Sequence, residues 1–76
     1  MARAIIPDDG AVVTPADAGT LKPGSLYVGT GGNVKIMTAL GTVLTLTNVA
    51  DGSWIPVSVK RVYSTDTTAS GILIFY

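Results

Sequence analysis

The chain contains no cysteine, no histidine and no glutamate among its 76 residues. Without cysteine there is no disulfide framework, and without cysteine and histidine the thiolate and imidazole ligands of structural zinc are gone. General acid–base catalysis draws mainly on His, Glu, Cys and Lys tuned near neutrality, so most of its usual carriers are missing. The remaining acids are Asp8, Asp9, Asp17, Asp51 and Asp66. They stand mostly beside glycine or proline, where a turn role is the default. Asp8-Asp9 is the one paired acid, and it lacks the alternating acids, central glycine and closing glutamate of a calcium-binding EF-hand loop. The run Gly29-Thr30-Gly31-Gly32-Asn33-Val34 is loosely like a phosphate-binding loop. Val34 takes the place of the third glycine, however, and no helix is expected after it. No catalytic residue, metal site or cofactor is expected, and the chain is not read as an enzyme.

Charge is scarce as well. Only 13% of residues are charged, 47% are hydrophobic and mean hydropathy is +0.49, whereas a free-standing domain usually carries about 25% charge. Acids and bases balance, and Lys60-Arg61 is the one basic pair, so nothing resembles the basic patch that nucleic acid requires. The longest uncharged stretch, Ile36 to Ala50, is interrupted by threonines, Gly41 and Asn48. It is shorter than the roughly 20 residues of a membrane-spanning helix. Arg3 precedes no apolar run of signal-peptide length before Asp8 and Asp9. Neither nucleic acid nor a membrane is an expected partner.

A domain of this size buries only about 60% of the surface its unfolded chain exposes. Small domains make up the difference with disulfides, a metal or oligomerisation, and the first two are excluded here. The sequence therefore predicts a homo-oligomer, with part of its apolar and threonine-rich surface covered by other subunits.

What is present is a series of short β-branched runs separated by turn residues, the pattern of an all-β protein. Strands are expected at roughly 11–14, 25–29, 33–39, 42–49, 54–64 and 70–76, with a short one at 3–6. Thr14-Pro15 and Asp17 allow one helical turn before Gly19. Asp51-Gly52 is the strongest hairpin signal, and Gly31-Gly32-Asn33 and Leu40-Gly41-Thr42 mark two further turns. Together these predict an N-terminal arm over residues 1–24 and an antiparallel β-domain over 25–76. The expected domain is a small, meander-rich, jelly-roll-like sandwich or barrel whose strands follow one another through the sheet. Alternation puts Ile55, Val57 and Val59 on one face, continuing to Arg61 and Tyr63, with Pro56, Ser58, Lys60 and Val62 opposite. Pro56 cannot donate to a ladder and so belongs at an edge, a bulge or a strand start.

The last run is apolar on both sides, Ile72, Ile74 and Tyr76 against Leu73 and Phe75, which is the mark of a strand covered on both faces. One face is expected in the core and the other against a partner. Aromatic residues anchor interfaces, so Tyr27, Trp54, Tyr63, Ile72, Ile74, Phe75 and Tyr76 are the candidate contact residues. The same aromatics leave a small carbohydrate-binding module open as an alternative.

Four segments in order carry a resemblance: Val13-Thr14-Pro15-Ala16-Asp17, Leu26-Tyr27-Val28-Gly29-Thr30-Gly31-Gly32-Asn33-Val34, Ile55-Pro56-Val57-Ser58-Val59-Lys60-Arg61-Val62 and Thr67-Thr68-Ala69-Ser70-Gly71-Ile72. From Val13 to Tyr76 the chain resembles the head spike base family of tailed bacteriophages and gene transfer agents, with Asp66 standing where that family shows glycine. The resemblance implies a virion structural protein on the outer surface of the capsid, often at a vertex. Such a subunit forms a trimer or pentamer, contacts the major capsid protein and anchors a spike or fibre. A decoration or cement protein that staples shell subunits would share the same composition.

Overall fold

The computed structural model describes residues 7–76. They form six strands: β1 (Gly10–Val12), β2 (Gly24–Thr30), β3 (Gly32–Thr38), β4 (Val43–Val49), β5 (Ser53–Val62) and β6 (Ser70–Phe75). The fold is all-β, as the turn spacing predicts, and no helix occurs among the described residues. The expected strand at 3–6 lies outside the described residues. Around Ala16 the chain makes no helical turn. Instead it runs beside the end of β5, where the Ala16 N–H donates to the Val62 carbonyl (2.9 Å) and the Leu21 N–H to that of Lys60 (2.6 Å).

All pairs are antiparallel and form one sheet in the order β1-β6-β2-β5-β3-β4. This corrects the expected meander, because among the described strands β3 and β4 alone are sheet neighbours that are also consecutive in the chain. Both misleading turns have a visible cause. At Asp51-Gly52 the turn is clamped to the end of β2: the Asp51 carboxylate accepts from the Gly31 N–H (2.6 Å), and the Gly52 N–H donates to the Val28 carbonyl (2.8 Å). The chain is thereby handed from β4 to a place between β2 and β3, instead of back along β4. At Gly31 a Cβ would overlap the Val49 carbonyl, so the β2–β3 connection passes against the end of β4 where only glycine fits.

β5 is the longest strand and serves two partners. Its first half pairs with β2 and its second with β3, and the ladder to β2 slips between Leu26↔Ile55 and Gly24↔Val59. Three residues of β5, Pro56 to Ser58, face one of β2, so Pro56 sits in a bulge, where its missing N–H costs no ladder bond. The slip also corrects the expected faces, since Val57 is exposed while Ile55 and Val59 are buried. A second slip, in the ladder to β3 between Met37↔Arg61 and Thr38↔Val59, turns Val62 rather than Arg61 inward.

The core is wholly apolar: Val13, Leu26, Val28, Val34, Ile36, Ile55, Val59, Val62, Ala69, Ile72 and Ile74. Residues from β2, β3, β5 and β6 meet in this one cluster. A flat single sheet would leave such a face wet, so the sheet must be folded over itself, and the bulged β5 is where its two halves join. The 63–69 loop closes over β3. Thr68 Oγ1 accepts from the Asn33 N–H (2.9 Å), and Thr67 Oγ1 from that of Lys35 (3.0 Å). From the other side Asp17 accepts from the N–H groups of Ser64 (3.0 Å) and Thr65 (2.9 Å) and from the Thr65 hydroxyl (2.5 Å). The Thr65 hydroxyl, followed by the backbone bond, holds the Asp17 carboxyl below its ordinary value. In the same loop Asp66 has φ +65°, a left-handed conformation that glycine takes freely and aspartate tolerates.

Candidate assembly surface

Strand alternation sends Leu26, Val28, Ile72 and Ile74 inward, so Tyr27, Leu73 and Phe75 must face out. The registers align these outward positions across four strands: Val12 of β1 opposes Leu73 of β6, Leu73 opposes Tyr27 of β2, and Tyr27 opposes Trp54 of β5. Directly opposed residues share a face, so Val12, Leu73, Tyr27 and Trp54 form one transverse apolar row. Phe75 extends it. Its ring centroid lies 5.6 Å from that of Trp54, tilted by 34°, and opposite Phe75 on β2 stands the small Ser25. Gly10, the β1 residue opposing Phe75, leaves room for the ring, since a Cβ there would come within 2.7 Å of it. Val12 is 77% exposed and Trp54 48% exposed. These two open residues stand at the ends of the row, with half-buried Leu73, Tyr27 and Phe75 between and beside them, and together they make a candidate contact surface.

The structure divides the sequence-derived candidates into three groups. Tyr27, Trp54 and Phe75 come together in the row. Ile72 and Ile74 do not belong to any contact surface: each is 2% exposed inside the core, because alternation turns them away from Phe75. Tyr63 and Tyr76 stand apart from the row. Tyr63 lies between Lys35 and Arg61, whose Nη1 donates to its hydroxyl at 3.2 Å. Tyr76 packs partly on the core beneath the Lys22 ammonium, 4.6 Å from its ring centroid.

Val12 was not among the candidates because β1 is too short to show alternation. A second exposed region was missed as well. Leu40, Val43 and Leu44 at the β3–β4 turn are 95%, 45% and 43% exposed. Threonine–leucine alternation along β4 suggests one covered face, yet among the described residues β4 is an edge strand with β3 as its one extensive neighbour. A small surface cavity lined by Thr14, Ala18, Gly19, Leu21, Arg61 and Val62 contains none of the row's aromatics, and Arg61 Nε is engaged there with the Gly19 carbonyl at 2.7 Å.

No protein-family model matches the chain, and no curated protein does either. Among solved structures it is similar to a chain of one described as the capsid of a native GTA (gene transfer agent) particle computed with C5 symmetry. The identity is 30%, the TM-score is 0.81, and the match covers 93% of this chain and 84% of that one. A likeness of that extent in sequence and fold, over nearly the whole sheet, makes this all-β chain a virion structural protein that belongs to the same family as the gene transfer agent capsid component.

Proposed function

We propose that the chain is a head spike base or vertex decoration subunit. As a homo-oligomer, trimer or pentamer, it sits on the outer surface of the capsid, contacts the major capsid protein, and presents a platform for a spike or fibre. The observation that carries this reading is the row Val12, Leu73, Tyr27, Trp54 and Phe75, uncharged, exposed at Val12 and Trp54 and half-buried between them, in a chain whose relative belongs to a capsid. Such a face suits a permanent neighbour better than solvent. The row is spread across a sheet, and the cavity holds none of it, which favours a protein partner over a sugar. An electron-microscopy map of intact particles with and without this chain tests the proposal. Density for the chain should stand outside the shell at the vertices, with spikes lost from particles that lack it. Density spread between shell subunits away from the vertices would make it a cement protein, and density inside the shell or in a tail would refute both.

A further inference from the structure

We propose that the tip of the β3–β4 hairpin of one copy docks on the Val12–Leu73–Tyr27–Trp54 row of the next. This rests on the homo-oligomer in the proposed function and gives that oligomer its interface. Three observations carry it. The hairpin tip is uncovered on both faces, since Val43 and Leu44 are consecutive in β4, point to opposite sides and are both more than two-fifths exposed. It lies within the 15 uncharged residues between Lys35 and Asp51. A seven-residue edge strand without charge or proline is the kind that native proteins cover.

The row supplies a matching cover. It too is uncharged, and it crosses four strands, about 14 Å at the ordinary spacing of about 4.8 Å between strands. From Val43 to Leu46 the hairpin spans about 10 Å, and Leu40 at the turn lengthens it. The row lies on β1, β6, β2 and β5, and the hairpin ends the other side of the strand order. Each copy therefore carries one of each surface. A contact between unlike surfaces repeats head to tail and closes into a ring when the rotation allows. Pairing of β4 with β4 of a second copy would instead give a two-fold dimer and leave the row open.

The test uses the absence of cysteine, which makes any introduced thiol unique. Leu44→Cys and Val12→Cys chains are prepared separately, then refolded singly or as a mixture and treated with a short bismaleimide, while light scattering follows the unmodified chain. The expected result is an oligomeric unmodified chain, a cross-linked dimer only in the mixture, and a closed covalent ladder from a chain carrying both thiols. Leu44→Lys should weaken assembly at least tenfold and leave the melting temperature of the monomer unchanged. Cross-linking of Leu44→Cys alone would show β4 pairing with itself and overturn the proposal. An oligomer with no mixed cross-link would overturn the interface and leave the proposed function standing. A monomeric unmodified chain would remove the homo-oligomer as well.

Discussion

Truncating β6 one residue at a time separates core from contact surface within a single strand. Ile72 and Ile74 are sealed in the core and Leu73 between them is partly open. Isoleucine to alanine at a sealed site costs about 2–5 kcal/mol, because the hydrophobic transfer is lost and a cavity remains. A chain of this length holds only about 4–11 kcal/mol in total, so Ile74→Ala alone should remove a large share of it. Leu73→Ala gives up part of one side chain's burial, about 1 kcal/mol. At about 4–8 °C per kcal/mol, the two isoleucine variants should melt at least about 8–16 °C lower, and the leucine variant about 4–8 °C lower. Trp54 is the only tryptophan, and its fluorescence reports unfolding directly. All samples are held at one protein concentration because association shifts apparent stability. If Leu73→Ala costs as much as its neighbours, the assigned inward and outward faces are wrong. If it costs less yet abolishes assembly, the outward face is the contact.

Four further outcomes follow from local geometry. Gly24→Ala should destabilise strongly, because a Cβ there overlaps the Phe75 carbonyl, and thermal melts would register it. Asp66→Gly should be neutral or stabilising and Asp66→Val destabilising by about 1–2 kcal/mol, given the left-handed backbone at φ +65°. Asp17 has a folded-state pKa below its ordinary 3.8, so its contribution is complete above 3.8 and disappears as pH falls through the lowered value. Asp17→Asn should flatten that part of the acid melting curve, and an unchanged curve would refute the Thr65 clasp. Lys22→Ala, which removes one exposed ammonium above Tyr76, should cost no more than about 1 kcal/mol and leave assembly intact.

Local signals located the strands and did not order them. The runs expected at 25–29, 33–39, 42–49 and 70–76 match β2, β3, β4 and β6 to within a residue or two, because alternation and turn residues act over a few neighbours. Pairing is decided by contacts between residues far apart in the chain. Nothing near Asp51 indicates that its carboxylate will accept from Gly31 and thereby steer β5 in beside β2. Likewise Tyr27, Trp54 and Phe75 are legible as aromatics, but their meeting depends on the registers of three separate strands. That Ile72 and Ile74 share one face of β6 is readable as alternation. Which of the two apolar faces of β6 is the inner one is not.

The place of β6 between β1 and β2 sets a timetable for the newborn chain. β1 and β2 leave the ribosome early, yet the strand that joins them lies nearly 60 residues after β1. At about 5–20 residues per second, β1 waits roughly 3–12 s for β6, its one ladder partner among the described residues. β3 and β4, by contrast, can form their hairpin as soon as both are made, so the first element to take shape is the uncharged hairpin whose tip stays uncovered. A nascent chain on a crowded polysome would therefore present that sticky hairpin before the surface meant to receive it exists.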